Sequence, residues 1–270
     1  MAFTDNCDLF GSLHEDGVNL AGRHVMRQRP SLFNYGTAQV AANPKLWCEP
    51  KVDVAPDVLN FANPIMTVVP PLPLANTGYG VNYCLQITKA EVDFHPGNVF
   101  TLPPELGSLP PQRFAAHVVV CAGIGCPPRD IVDRLEPVGS KDLTGAADRD
   151  RPQGPLTPLP TRRLECFCLE VFAVGHVEVE GDALAPVLDG LEIVDIEPDG
   201  LEDSLECYLE LLIKLGILPQ LRVAIPRFVF DILDLATITL AATPISAAVP
   251  NNPAIEQHQL KVFVDVSVAP

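Results

Sequence analysis

The sequence predicts an α+β protein that is mainly β: a long curved antiparallel sheet wrapped around an apolar helix, with a second helix near the N-terminus. Three observations predict it. Several segments alternate apolar and polar residues, the mark of half-buried strands. In the longest, Phe167, Leu169, Val171, Ala173, Val177 and Val179 share one face with only Gly175 interrupting; at ~3.3 Å per residue that run extends on the order of 40 Å. Between Asp199 and Ile232 a leucine-rich helical stripe passes directly into a second strand-like pattern. Such an element needs a large apolar surface to lie in.

That last stretch organises the prediction. Asp199-Gly200-Leu201-Glu202 has the form of a capping box. Leu201, Leu205, Tyr208, Leu212 and Leu215 recur at helical spacing, and Leu209, Leu211 and Ile213 widen the stripe. Glu202, Asp203 and Glu206 in the first turns and Lys214 near the end suit the helix dipole. Gly216 and Pro219 end a helix over 200–216. Leu221 to Phe230 then alternates like a strand, apart from Pro226.

In chain order, residues 5–28 predict the N-terminal helix. Leu9, Phe10, Leu13, Leu20, His24 and Val25 approximate one face, although Gly11, Gly17 and Gly22 weaken it. The segment ends in a small basic cluster, Arg23, His24, Arg27 and Arg29, which reads as cations complementing a helix C-terminus and nearby carboxylates, with a docking site for an anionic group or a partner's acidic face as the alternative. An irregular arm follows, with Trp47 as its anchor. The domains are thus 1–50, helix and arm, and 51–270, a β-rich domain. Val81, Tyr83, Leu85 and Ile87 alternate until the phase slips to Ala90, Val92 and Phe94, which predicts a bulge or bend. Phe114 to Ala122 reads as a strand, and 129–163 as a long Pro/Gly-rich loop or linker. Leu188–Ile196, Thr237–Thr243 and Leu260–Val268 supply further strands.

Composition narrows the function. A net charge of −16 argues against nucleic acid as the main partner and against an anionic membrane surface. Prolines break the uncharged runs Val58–Thr88 and Leu235–Ile255, so no membrane-spanning helix is predicted. No secretory signal peptide is visible at Met1–Asp5. The chain is therefore read as soluble and cytoplasmic, with export by a non-classical route left open.

The eight cysteines read as reduced, buried thiols rather than a disulfide frame. Cys166 and Cys168 fall on one strand face and invite a zinc reading. Yet neither they nor Cys121 and Cys126 form a C-x2-C knuckle, and no histidine cluster accompanies them, so neither metal nor cofactor is expected. His14, His24, His95, His117, His176 and His258 are scattered. No nucleophile elbow, Walker loop, G-x-G-x-x-G or H-E-x-x-H is present. Glu170, Glu178 and Glu180, and the pair Asp195 and Glu197, fit the wet face of a sheet better than an acid–base centre. The sequence does not support an enzyme.

Leu209, Leu212, Leu215, Ile217, Leu218-Pro219, Leu221-Arg222-Val223 and Ile225-Pro226 form an apolar helix that turns into a strand. This pattern resembles the TULIP superfamily, the tubular lipid-binding group that includes the bactericidal/permeability-increasing-protein-like domains. Many members are secreted, and the strands after Thr237 have no clear counterpart there. The resemblance implies non-enzymatic binding of a lipid or other apolar molecule in a groove between sheet and helix. Its lining would be Leu205, Leu209 and Leu212 on the helix with Phe167, Leu169, Val171, Phe228 and Phe230 on strands. The alternative is a structural or assembly subunit, a homo-oligomer or part of a phage-tail-like or injection-type particle, in which the surplus apolar surface meets another subunit.

Overall fold

The structure is a computed structural model that describes residues 3–49, 64–73, 79–125, 156–180, 183–194, 223–224 and 237–269. In chain order these form β1 (Leu9–His14), α1 (Glu15–Gln28), β2 (Asn34–Gly36), α2 (Ala38–Ala41), β3 (Thr67–Val68), β4 (Leu72–Pro73), β5 (Tyr79–Val81), β6 (Tyr83–Phe94) and β7 (Phe114–Gly125). There follow β8 (Thr157–Pro158), β9 (Leu164–Glu180), β10 (Ala183–Val194), β11 (Val223–Ala224), β12 (Thr237–Ala242), β13 (Ala254–Glu256) and β14 (Gln259–Ala269). The protein is mainly β, as its alternation predicts. A helix lies near the N-terminus, but it starts at Glu15 rather than residue 5. Leu9–His14 is a strand paired antiparallel with β14, because pairing of an alternating segment there wins over weak helical propensity around Gly11. Helix 200–216, most of the strand predicted at Leu221–Phe230, and 129–155 of the predicted loop lie outside the described residues.

The strands assemble into three sheets. One has the order β1-β14-β12, with β13 also on β14; the second runs β11-β10-β9-β7-β6-β2-β3; the third is β4-β5-β8. β9 and β10 form an antiparallel hairpin whose register shifts between Leu188 and Gly190. Asp189 is the extra residue of that bulge, and a bulge re-aims its side chain. In the first half of β6 the buried residues are Cys84 and Gln86 rather than the expected Leu85 and Ile87, and the alternation is lost beyond Ile87.

The residues divide into two compact units. Unit 1 comprises 1–22, 90–118 and 170–270, and unit 2 comprises 23–89 and 119–169. In unit 1, Leu109, Ala115 and Val174 form a core with Phe100, Leu102 and Leu106 packed on it. Gly175 is obligatory there: a Cβ would collide with the Val187 carbonyl oxygen and stand 3.0 Å from the Phe114 ring. In unit 2, Val40, Leu46, Met66 and Cys84 form a core flanked by Trp47, Cys48 and Leu164. Trp47 also donates its indole N–H to the Val40 carbonyl at 2.9 Å.

The expectation of reduced thiols is corrected here. Cys48 bonds to Cys166 and Cys121 to Cys168, while Cys84 is a buried thiol outside both disulfides. Cys166 and Cys168 do share a face of β9, but each meets a partner far along the chain, so the two sulfurs are held in separate disulfides and not by a shared ion.

Carboxamide side chains complete the ladders where strands stop. Asn19 donates to the Val92 carbonyl at 2.8 Å and accepts from the Val92 amide at 2.7 Å. Gln86 holds both backbone groups of Glu49 in the same way, at 2.5 and 3.0 Å. Asn252 does so for Phe263, at 2.7 and 3.1 Å.

Two glycines should respond in opposite directions. Gly175→Ala is expected to lower stability by ~1–3 kcal/mol through overpacking. Gly17→Ala, where a Cβ meets nothing within 4 Å, should raise it by about 0.5–1 kcal/mol through helix propensity. Denaturant unfolding of both variants measures the pair, and equal midpoints would contradict it.

Candidate functional site: an edge strand and its buried corner

Of the predicted groove residues, Leu205, Leu209, Leu212, Phe228 and Phe230 lie outside the described residues. On β9, Phe167 is 48% exposed and Val171 is buried, with Leu169 between them half-buried. The structure therefore leaves the groove undescribed as a whole.

Two exposed leucines share one face of β1, the terminal strand of its sheet among the described residues. Phe10 packs its ring on Phe263 of β14, centroids 5.3 Å apart. The opposite face carries Leu9, Gly11 and Leu13, since residues two apart share a strand face. Leu9 and Leu13 are 51% and 50% exposed, and Leu20 on α1 is 65% exposed. Nothing lies within 4 Å of where a Gly11 Cβ would stand.

β1 is fixed at its end by a buried polar corner. Glu15, the first residue of α1, is 1% exposed and Asp93 2%. Glu15 accepts from the Phe94 amide at 2.7 Å. Its amide donates to the His258 carbonyl at 3.1 Å, and the His258 amide donates to the His95 carbonyl at 3.1 Å. Asp93 accepts from the amides of Asn98 and Val99 at 3.0–3.1 Å. His258 Nδ1 stands 3.0 Å from Glu15 Oε1, an ion-pair contact that lacks hydrogen-bond alignment. Asn19, one helical turn after Glu15, clamps Val92. One face of α1 thus reads the backbone of β6 through two side chains.

Gln257 and His258 occupy the two-residue turn between β13 and β14, with φ of 54° and 63°. Positive φ at both positions is what a type I′ hairpin requires, and Asn-Gly is the usual solution. Gln-His costs more, so surrounding contacts must hold it. Lys261 contributes, 2% exposed and bonded through Nζ to Glu256 and Gln257 at 2.8 and 2.9 Å.

Burial raises the Glu15 carboxyl above its ordinary value; the Phe94 amide opposes this, the Asp93 charge adds to it, His258 opposes it, and a side-chain hydrogen bond with Asp93 raises it again. The surroundings thus favour the neutral form of Glu15 more than water does. The donor atoms of Glu15, Asp93 and His258 lie within 4.8 Å of one another, a set that could also hold a divalent cation.

Elsewhere the chemistry is sparse. Asp189 meets Arg113 at 2.5 Å and His176 at 2.9 Å, but the other imidazole nitrogen points toward Glu178 at 3.9 Å. A carboxylate stands where a Ser-His-Asp arrangement would need a hydroxyl. His117 is buried, stacks on Phe172 at 4.4 Å, and lies 3.3 Å from Glu170. Glu170 and Phe172 line a cleft of about 450 Å³ with Glu105, Glu192 and residues 101–104. Three carboxylates make that cleft unsuited to an acyl chain.

No protein-family model matches the sequence, and no curated protein matches it. Sequence reasoning missed the corner, because Glu15, Asp93 and His258 are far apart in the chain. In the sequence Asp93 stands only as the polar neighbour of Val92 and Phe94 in an alternating run. The one available signal was Gln257-His258, two residues between two apolar runs at hairpin spacing.

Glu15 gives a signed pH dependence. A carboxyl raised in the folded state contributes stability that is complete below its unfolded value, near 4.5, and lost as pH rises through the folded value. Glu15→Gln keeps the acceptor for Phe94 and a donor for Asp93 without ionising. Its melting temperature minus that of wild type should be flat below about pH 4.5 and climb above it. Parallel curves across that range would show that the fold does not raise the Glu15 carboxyl.

Proposed function

We propose that the protein is a non-enzymatic assembly subunit that joins a second copy of itself through β1. The observation that carries this reading is an edge strand with two half-exposed leucines on one face. Native proteins ordinarily blunt such edges. The sequence of β1 is also self-complementary. Antiparallel pairing of two copies centred on Gly11 sets Leu9 against Leu13 of the second copy, twice, with Gly11 on the axis. The same register sets Asp8 against His14 at each end. Such a contact is isologous and closes as a two-fold dimer. Directly opposed apolar pairs across antiparallel strands add roughly 0.2–1 kcal/mol each, and burial of the exposed leucine surface adds to it.

The net charge of −16 opposes association, and salt screens that repulsion over about 8 Å at physiological ionic strength. Dimerisation should therefore strengthen with added salt. The assembly alternative is taken over an apolar ligand because the exposed leucines of β1 lie on a strand edge. The two disulfides fit an oxidising environment, and a cytoplasmic location would suit only the reduced chain.

Native mass spectrometry and sedimentation decide between the readings. The expected result is a salt-strengthened dimer that Leu13→Lys converts to monomer without changing the melting temperature by more than a degree or two. A monomer at all salt concentrations that releases lipid on solvent extraction would overturn the assembly reading in favour of the groove.

A further inference from the structure

We propose that unit 2 carries a thiol–disulfide exchange site, built from Cys84 and the Cys48–Cys166 disulfide, that reacts with low-molecular-mass disulfides at Cys166. Three observations place the reacting atoms. Cys84 on β6 is a free thiol, 1% exposed, and its Sγ lies 3.3 Å from Cys48 Sγ. That separation matches the reacting-atom distance of a near-attack arrangement. Cys166, the other half of the disulfide, is exposed on β9. Gly123 on β7 opens the space the sulfurs occupy: a Cβ there would collide with Cys48 Sγ and approach Cys166 Sγ at 3.0 Å.

The step balances within the protein. The Cys84 thiolate attacks Cys48 Sγ, the Cys84–Cys48 bond forms, the Cys48–Cys166 bond breaks, and Cys166 leaves as a thiolate. The electron pair moves from a buried sulfur to an exposed one, with no external oxidant. The exposed Cys166 thiolate then attacks a small disulfide RSSR, giving a Cys166–SR mixed disulfide and releasing RS⁻. Buried Cys84 is thereby oxidised and the external disulfide reduced. Burial raises the Cys84 thiol, with opposing hydrogen bonds from the backbone of Cys48 and Gly123. The attacking thiolate is scarce at neutral pH, so exchange should accelerate as pH rises.

The site is distinct from the β1 edge, and its test does not depend on self-association. Wild-type protein is incubated with oxidised glutathione at about pH 8.5, near the ordinary thiol value, then acid-quenched and digested without reduction. The expected products are a glutathione adduct on Cys166 and a peptide pair joined by Cys48–Cys84. Cys84→Ser should retain Cys48–Cys166 and lose the adduct. An adduct on Cys166 undiminished in Cys84→Ser, or none in wild type, overturns the proposal. Cys166→Ser supplies a second arm should Cys84→Ser fail to fold. There Cys48 and Cys84 should be oxidised by glutathione to their own disulfide, and separate glutathione adducts on the two would overturn the proposal.

Discussion

Every buried backbone N–H and C=O must find a partner, and in this chain the strands alone do not supply enough of them. β2, β3, β4, β5, β8 and β13 each run for only two or three residues, and 28 prolines withhold donors throughout. Carboxamides fill the gap. Asn19, Gln86 and Asn252 each offer one donor and one acceptor to a single residue's backbone, as a neighbouring strand would. An unsatisfied buried group costs ~1–3 kcal/mol, so three such clamps weigh heavily against a net stability of roughly 5–15 kcal/mol. Asn82 extends the device within unit 2, donating to the Leu159 carbonyl at 2.6 Å and accepting from the Thr37 hydroxyl at 2.6 Å.

The corner at Glu15 follows the same logic with charge added. α1 begins where β1 ends, and its first turn brings Glu15 and Asn19 onto one face. Both side chains grip β6, and the Glu15 amide meets the turn at His258. The strained Gln257-His258 turn, the carboxyl pair and the start of α1 thus depend on one another. Their joint effect is to fix the end of β1 while its apolar face remains outside.

Particular residues show what the sequence made legible. The alternation from Leu260 to Val268 and the apolar face from Phe167 to Val179 predicted β14 and β9, because period-two patterning follows directly from pleated geometry. Leu9 and Leu13, four apart, fitted a helix and a strand equally well, and pairing with β14 decided between them. The disulfides had no signature, since their partners are 118 and 47 residues apart, and the short spacing of Cys166 and Cys168 pointed toward a shared ion. The edge site was half legible: the surplus apolar surface was foreseen, but on β9 rather than on β1.

The carboxamide clamps also bear on how the protein ages. Loss of ammonia from Asn19 or Asn252 would replace a donor by a second acceptor oxygen, setting a carboxylate against the carbonyl it now holds. Spontaneous deamidation proceeds by attack of the following residue's backbone nitrogen on the side-chain amide. After Asn252 that residue is Pro253, which has no N–H to lose, so the clamp on Phe263 is chemically protected. Asn19 precedes Leu20, whose bulk hinders the ring closure, and the homologous closure at Gln86 is slower still. Where the ladder is made of side chains, its durability is set by the residue that comes next.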